Sequence, residues 1–242
     1  MFRLVNWNIE RKRPGSWQAK SLIEEIASIA PDVICLTEAW VDSLETLGGF
    51  TISSKGIAWS PQKEDERKVL IWSHQPWVSV EVINELEETG SAVTGLCNLA
   101  GIQTRIVGIC VPYHFASPLG VTPKEKPWSQ HNAFLRKLMS YLDVWAIEGP
   151  TIVLGDFNRR MPRSWGPKHS YELLELALEN YEVVTRGPLN GVDQLSIDHI
   201  AVTAPLNVKA VVGRPAEDHR GRKRSDHFGV VADLTSGRRD SN

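Results

Sequence analysis

The 242-residue chain has no apolar stretch of about 18 residues, the least that a bilayer-crossing helix needs. Its first residues, Met1-Phe-Arg-Leu-Val-Asn-Trp-Asn, lack the apolar core and small-residue cleavage site of a secretory leader. Cysteine is scarce: Cys35, Cys97 and Cys110 sit in apolar surroundings without metal-like spacing. An odd count without a leader argues against a disulfide framework and predicts buried free thiols in a reducing cytoplasm. There is no repeat, no low-complexity run and no linker. A net charge of −2, from 27 basic and 29 acidic residues, excludes a global polycation. What remains, 42% apolar and 23% charged residues, is the composition of a soluble globular protein. Residues 1–235 read as one domain, followed by a flexible polar tail over 236–242.

Short apolar runs alternate with helical patterns. Residues 2–8 predict a strand with Phe2, Leu4 and Asn6 on one face and Val5 and Trp7 on the other. Ser16 caps a helix over 17–30, whose Leu22, Ile23, Ile26 and Ile29 recur at helical spacing and which Pro31-Asp32 ends. Val33–Leu36 is too short for a helix and reads as a buried strand ending on Thr37-Glu38. From 50 to 111, β-rich runs at 50–53, 57–59, 68–73, 77–83, 92–99 and 102–111 predict an antiparallel meander. Helices follow at 128–147 and 170–179, with strands at 151–154, 181–184, 195–203, 206–212 and 228–234. Strands flanked by helices in both halves suit two packed sheets with helices outside.

Polar residues stand where these strands run out: Asn8, Glu38, His114, Asp156, Asn158, Asp198, Asp226 and His227. Each has a structural explanation of its own, as turn residue, helix-end acid, Asx turn or core histidine. Taken together they are what a metal-assisted phosphate site requires. A hard divalent cation takes carboxylate oxygens, developing phosphoryl charge takes imidazolium and amide donors, and a water nucleophile takes a carboxylate base or a metal. Asp156 and Asn158 are two apart and share a side on an extended chain, whereas Asp198 and His199 face opposite sides. His199 reads as supporting structure.

The stretches Asn6-Trp7-Asn8, Pro31-Asp-Val-Ile-Cys-Leu-Thr-Glu38, Val111-Pro-Tyr-His114, Leu154-Gly-Asp-Phe-Asn158, Ile197-Asp-His-Ile200 and Ser225-Asp-His227 run in the order of a known superfamily. The chain resembles the endonuclease/exonuclease/phosphatase superfamily over residues 6–227. That superfamily includes deoxyribonuclease-like nucleases, abasic-site endonucleases, neutral sphingomyelinases and inositol polyphosphate 5-phosphatases. The resemblance implies a four-layered α/β sandwich, two mixed β-sheets packed face to face with helices outside. It implies Mg²⁺, with Mn²⁺ as substitute, held by Glu38 with Asn8 beside it and Asp226 adding negative charge. Asp156 would orient or deprotonate the attacking water and Asn158 would donate to the phosphate. His227 would bind a non-bridging oxygen, Asp198 would orient His227, and His114 would stand near the leaving group. Where abasic-site enzymes carry Tyr-x-Pro-Asn, this chain has Cys110 at the tyrosine position and Tyr113 at the asparagine position.

Positive charge is segregated. Windows 10–13, 159–168 and 214–224 carry net +2, +4 and +3, and each adjoins a motif residue. They are expected to rim one cleft and to offer Arg11, Arg159, Arg160, Arg222, Lys223 and Arg224 to substrate, with Trp17, Trp40, Trp128 and Trp165 nearby. The reading is a metal-dependent phosphodiester hydrolase, a nuclease with nucleic acid as substrate. The alternative is a phosphodiesterase or phosphatase acting on a small-molecule or lipid-headgroup phosphate. A catalytically silent binding module is disfavoured, since no motif acid is replaced. Nothing points to membrane insertion or to a protein partner.

Overall fold

The computed structural model describes residues 1–54, 63–87, 90–117 and 125–237. The elements are β1 (Phe2–Asn8), α1 (Trp17–Ile29), β2 (Val33–Trp40), β3 (Phe50–Ser54), β4 (Glu66–Ser73), β5 (Ser79–Val82), α2 (Asn84–Glu87), β6 (Ser91–Leu99), β7 (Ile102–Cys110), α3 (Ser129–Glu148), β8 (Thr151–Asp156), α4 (Lys168–Ala177), β9 (Glu182–Val183), β10 (Asp198–Val202), β11 (Leu206–Arg214) and β12 (Gly229–Ser236). One six-stranded sheet has the order β11-β12-β1-β2-β4-β3 and the other β5-β6-β7-β8-β10-β9. Each is mixed, with one parallel pair: β1–β2, joined through α1, and β7–β8, joined through α3.

Alternation along the strands explains the layers. Phe2, Leu4, Val33, Cys35, Val69 and Ile71 of the first sheet meet Ile106, Ile152, Leu154, Ile200 and Val202 of the second in one core. The outward residues Val5, Trp7, Ile34 and Leu36 pack on Leu22 and Ile26 of α1. On the far side Val107, Ile109, Val153 and Ala201 pack on Leu135, Leu138 and Leu142 of α3 and Leu174 of α4. The order is helix, sheet, sheet, helices, the four-layered α/β sandwich expected from the sequence. Among the described residues no helix is long and apolar enough to cross a membrane.

Several boundaries differ from expectation. The meander over 50–111 divides between the sheets: β4 pairs with β2 and β3 with β4 in the first sheet, whereas β5, β6 and β7 belong to the second sheet. Local patterning carries no information on which sheet a hairpin joins. The expected strand at 57–59 lies outside the described residues. Strand β2 runs past Leu36 through Glu38 to Trp40, because β4 supplies ladder partners as far as Glu66. Ser236, expected in the tail, is the last residue of β12 and pairs with Leu206; 238–242 lie outside the described residues. Cys35, Cys97 and Cys110 are free and buried, as expected.

The second sheet depends on Gly155 in β8. Its φ is +143°, and a Cβ there would lie 1.9 Å from the carbonyl oxygen of Ile109 in β7. Strand β7 is paired on both sides, by β6 and β8, so it cannot retreat. Gly155→Ala should therefore cost about 3 kcal/mol or more. Gly101→Ala, at φ +84° with nothing within 4 Å, should cost about 1 kcal/mol from backbone strain. Urea unfolding followed by circular dichroism compares them, and equal losses would refute the tight β7–β8 approach.

Candidate active site

The carboxyl ends of both parallel pairs open at one edge of the sandwich. Asn8 ends β1 and Asp156 ends β8, while Asp198 begins β10 directly across from Asp156. A turn carrying Ser225, Asp226 and His227 leads into β12. A cavity of about 340 Å³ lies between them, lined among others by Asn8, Arg11, Glu38, Lys68, Asp156, Asn158, Asp226 and His227.

Asp156 is the centre of a hydrogen-bonded knot. Its Oδ1 accepts from the Asn158 backbone N–H at 2.8 Å, and its Oδ2 accepts from Asn158 Nδ2 at 3.1 Å and Asn8 Nδ2 at 3.2 Å. The first bond closes an Asx turn with Asn158 at φ +51°. Asp156 and Asn158 thus share a side through a turn rather than along an extended strand. Asn158 Nδ2 also donates to the Val111 carbonyl at 2.8 Å, so its amide is committed to holding Asp156. Burial and the neighbouring Asp198 charge push Asp156 up to about 7.

His227 has the opposite environment. Its Nδ1 lies 2.6 Å from Asp198 Oδ2, and Nε2 lies 3.9 Å from Asp226 Oδ1. Burial alone would lower its pKa, but Asp198, followed by Asp156 and Asp226, outweighs burial and raises it to about 10. The ring is an imidazolium at neutral pH. Its seat is fixed from behind: Trp7 Nε1 donates to the His227 carbonyl at 3.0 Å, and Ser225 Oγ accepts from the His227 backbone N–H at 3.2 Å and donates to the Asn8 carbonyl at 2.6 Å. His199 points away, its ring nitrogens on Thr185 Oγ1 and the Arg159 carbonyl, the supporting role expected of it.

Glu38 sits at φ +50°, a left-handed backbone rare for non-glycine residues and common at functional sites. Its Oε1 takes Lys68 Nζ at 2.9 Å and Arg11 Nη2 at 3.1 Å. Burial would raise its pKa, but the two cations outweigh burial and hold it below the usual carboxylate range. Lys68 is missing from the sequence-based set. It lies between Arg67 and Val69, which pair with Ala39 and Thr37, so it stands across the ladder from Glu38. A lysine opening an apolar run was the available signal, but the β2–β4 register was needed to find its partner.

The donor set fits a hard divalent cation. Glu38, Asp156 and Asp226 face one cavity; ligand atoms of Asp156, Asp198 and His227 also lie within 4.8 Å of one another, but a protonated His227 has no lone pair to give, so that grouping offers a metal only its carboxylates. Asp198 Oδ1 is buried with no hydrogen-bond partner among the described residues. This second grouping is on the β8–β10 side, whereas the expected one was Glu38, Asn8 and Asp226.

The basic windows do not rim the cavity as expected. Arg11 lines it. Arg159 is 3% exposed, with its guanidinium 4.5 Å from the Trp128 ring centre and Nη2 donating to the Pro167 carbonyl at 2.6 Å. Arg224, also 3% exposed, turns inward onto Glu25 and the carbonyls of Pro215 and Glu217. Arg222 is exposed, but lies over Trp17 and pairs with Asp218. Lys223 lines a neighbouring cavity that shares Asp226, and Arg160 is half-buried outside the lining. The physical reason is that arginine stems and planar guanidinium groups pack well against buried rings and carbonyls, which charge counting along the chain cannot register. His114 likewise lies in a group of rings beside the cavity instead of in its wall.

Solved structures share this architecture. An AP endonuclease from Archaeoglobus fulgidus superposes with TM-score 0.71 at 15% identity, over 97% of this chain and 99% of that one. TDP2 of D. rerio, complexed with a single-strand DNA product, gives 0.70 at 13% identity over 97% and 99%. A mannosyl-6-phosphatase from Bacteroides thetaiotaomicron gives 0.67 at 14% identity over 97% and 100%. At such identities the likeness is one of fold. No curated protein matches by sequence. The sequence profile of the Endonuclease/Exonuclease/phosphatase family matches residues 5–227, and with the sandwich and the site at its edge the chain belongs to that family, whose members are metal-dependent phosphoester hydrolases.

Proposed function

We propose that the protein is a Mg²⁺-dependent phosphodiester hydrolase acting on nucleic acid. The observation that carries this reading is the placement, across one cavity, of Asp156, held by the Asn8 and Asn158 amides, and the His227 ring backed by the buried Asp198 carboxylate at 2.6 Å. A base with a pKa near the working pH is the efficient one. Asp156 orients the attacking water and takes its proton, steadied by Asn8 and Asn158. His227 donates from Nε2 to a non-bridging phosphoryl oxygen, where charge grows in the transition state. Asp198 is a positioning residue that keeps His227 charged and aimed. Arg11 and Lys68 add positive charge beside Glu38. Glu38, with Asn8 and Asp226, would hold the divalent cation, for which Mn²⁺ would substitute. When bound, such an ion supplies charge stabilisation to the phosphoryl oxygens.

The inward turn of Arg159 and Arg224 favours a second reading. With fewer cations free for a long polyanion, a compact phosphoester such as a sugar phosphate or an inositol phosphate fits a cavity of about 340 Å³. Release assays separate the two. Supercoiled plasmid, single-stranded oligonucleotide, bis-p-nitrophenyl phosphate, sugar phosphates and inositol phosphates are offered in parallel with Mg²⁺. Cleavage confined to the small phosphates would overturn the nuclease reading.

Glu38→Gln is nearly isosteric, so the fold should hold while turnover drops by more than about tenfold at saturating Mg²⁺. EDTA should do the same to the unaltered protein. Retention of more than about a tenth of the rate would remove Glu38 from the metal set.

The Asp198–His227 pair gives a pH-dependent test. The folded pKa of about 10 exceeds the ordinary 6.5, so the stability contributed by the pair is whole below about 6.5 and is lost as pH rises through about 10. In Asp198→Asn the largest raising contribution is lost while Asp156 and Asp226 remain, so the His227 pKa should fall from about 10 towards the ordinary range, read by NMR titration of its ring protons. Turnover of this variant should then suffer more at pH 8 than at pH 6. The double variant Asp198→Asn/His227→Ala should be about as slow as His227→Ala alone, and independent, multiplicative losses would sink the pair.

A further inference from the structure

Beside the cavity, between the end of β7, the start of α3 and the loop after β8, the surface is made of rings. Tyr113 lines the cavity and is 50% exposed. Phe115 is 62% and Trp165 47% exposed. His114 lies between them, 4.1 Å from Phe115 at 46° and 5.0 Å from Trp165 edge-on, measured between ring centres. Its ring stacks on buried Trp128 at 5.5 Å and 29°, and Trp128 in turn carries the buried Arg159 guanidinium. The Trp128 backbone N–H donates to the His114 carbonyl at 2.7 Å, and Arg163 Nη1 donates to the Gly166 carbonyl at 2.9 Å in the turn that carries Trp165. The exposed rings are therefore held in place by a packed foundation.

Charge and shape on this face point to one occupant. Of the cations between Phe157 and Tyr171, Arg159 is buried and Lys168 pairs with Glu172 at 3.2 Å, which leaves Arg160 and Arg163. The nearby aliphatic side chains Val111, Ala116 and Met161 are buried. The face offers ring planes and cations rather than an oily groove. It is continuous with the cavity through Tyr113, which precedes His114 directly. A ligand that carries a phosphate into the cavity and a flat ring one bond network away would cover Phe115 and Trp165.

We propose that Phe115 and Trp165, set around His114, form a stacking subsite for an unpaired nucleobase adjoining the phosphate in the cavity. The inference rests on the nuclease reading and deepens it. A base in a duplex is already stacked and paired, so this subsite selects single-stranded nucleic acid or a frayed end. Rings stack on any base, so preference among bases is weak. On this assignment Arg159 is the buried foundation of the subsite rather than a contact to phosphate.

Binding is measured first without turnover, by fluorescence anisotropy in EDTA. The full chain is titrated against a labelled oligothymidylate, an abasic deoxyribose-phosphate oligomer of equal length and a duplex. The unaltered protein should bind oligothymidylate about fivefold or more tighter than the abasic oligomer, and tighter than the duplex. Phe115→Ala/Trp165→Ala should abolish that ratio and leave abasic binding unchanged, while Trp165→Phe, which keeps a ring, should retain most of it. With Mg²⁺ the double variant should raise KM on oligothymidylate by the same factor and leave abasic cleavage unchanged. Equal binding of the two single strands, an unchanged ratio in the double variant, or a preference for duplex would each overturn the subsite. Preferential binding of oligothymidylate without cleavage of any oligomer would instead overturn the nuclease reading and leave the subsite standing.

Discussion

A single buried amide ties the two sheets together below the site. Asn6 Nδ2, from β1, donates to the Gly155 carbonyl at 2.9 Å and the His199 carbonyl at 3.1 Å, both in the opposite sheet. Apolar contacts are non-directional, whereas buried carbonyls deprived of a donor cost about 1–3 kcal/mol each. The amide therefore sets how β1 lies over β8 and β10. Everything above it inherits that alignment: Asn8 two residues on reaches Asp156, and the turn before β12 brings His227 to Asp198.

The cavity works through contrast. Carboxylates from both sheets are gathered at one cavity, and each is answered differently. Glu38 receives two cations, Asp198 receives an imidazolium, and Asp156 receives amide and backbone donors but no full charge of its own. Burial and the Asp198 charge then push Asp156 up to about 7, whereas the two cations hold Glu38 below the usual carboxylate range. The same carboxylates make His227 a stronger base than a free imidazole. One arrangement thus moves the pKa values of Asp156 and His227 in the directions that suit a base and an acid at neutral pH.

Arginines in this protein divide by what lies beneath them. Arg159 covers Trp128 and Arg224 lies 5.5 Å from the Trp7 ring centre, both buried. Their neighbours in sequence, Arg160 and Lys223, remain nearer solvent. A basic run that looks like one polyanion surface is in fact alternately packing material and exposed charge.

The sequence by itself determined the layered architecture, since the alternation of Phe2, Leu4 and Asn6 against Val5 and Trp7 dictates a strand with two buried faces. It also determined which acids, amides and imidazoles stand at strand ends, because a buried strand holds such groups only where partners answer them, as they do for Asn6 and His199 within β1 and β10. Ser16 as N-cap and the free thiols were legible for similar local reasons. Tertiary structure alone decided the rest. The sheet to which β5–β7 belong, the place of Lys68 across from Glu38, the ring group that takes up His114 and the inward turn of Arg159 and Arg224 all depend on contacts between residues far apart in the chain. Local pattern records which face a residue prefers; only packing decides what it meets there.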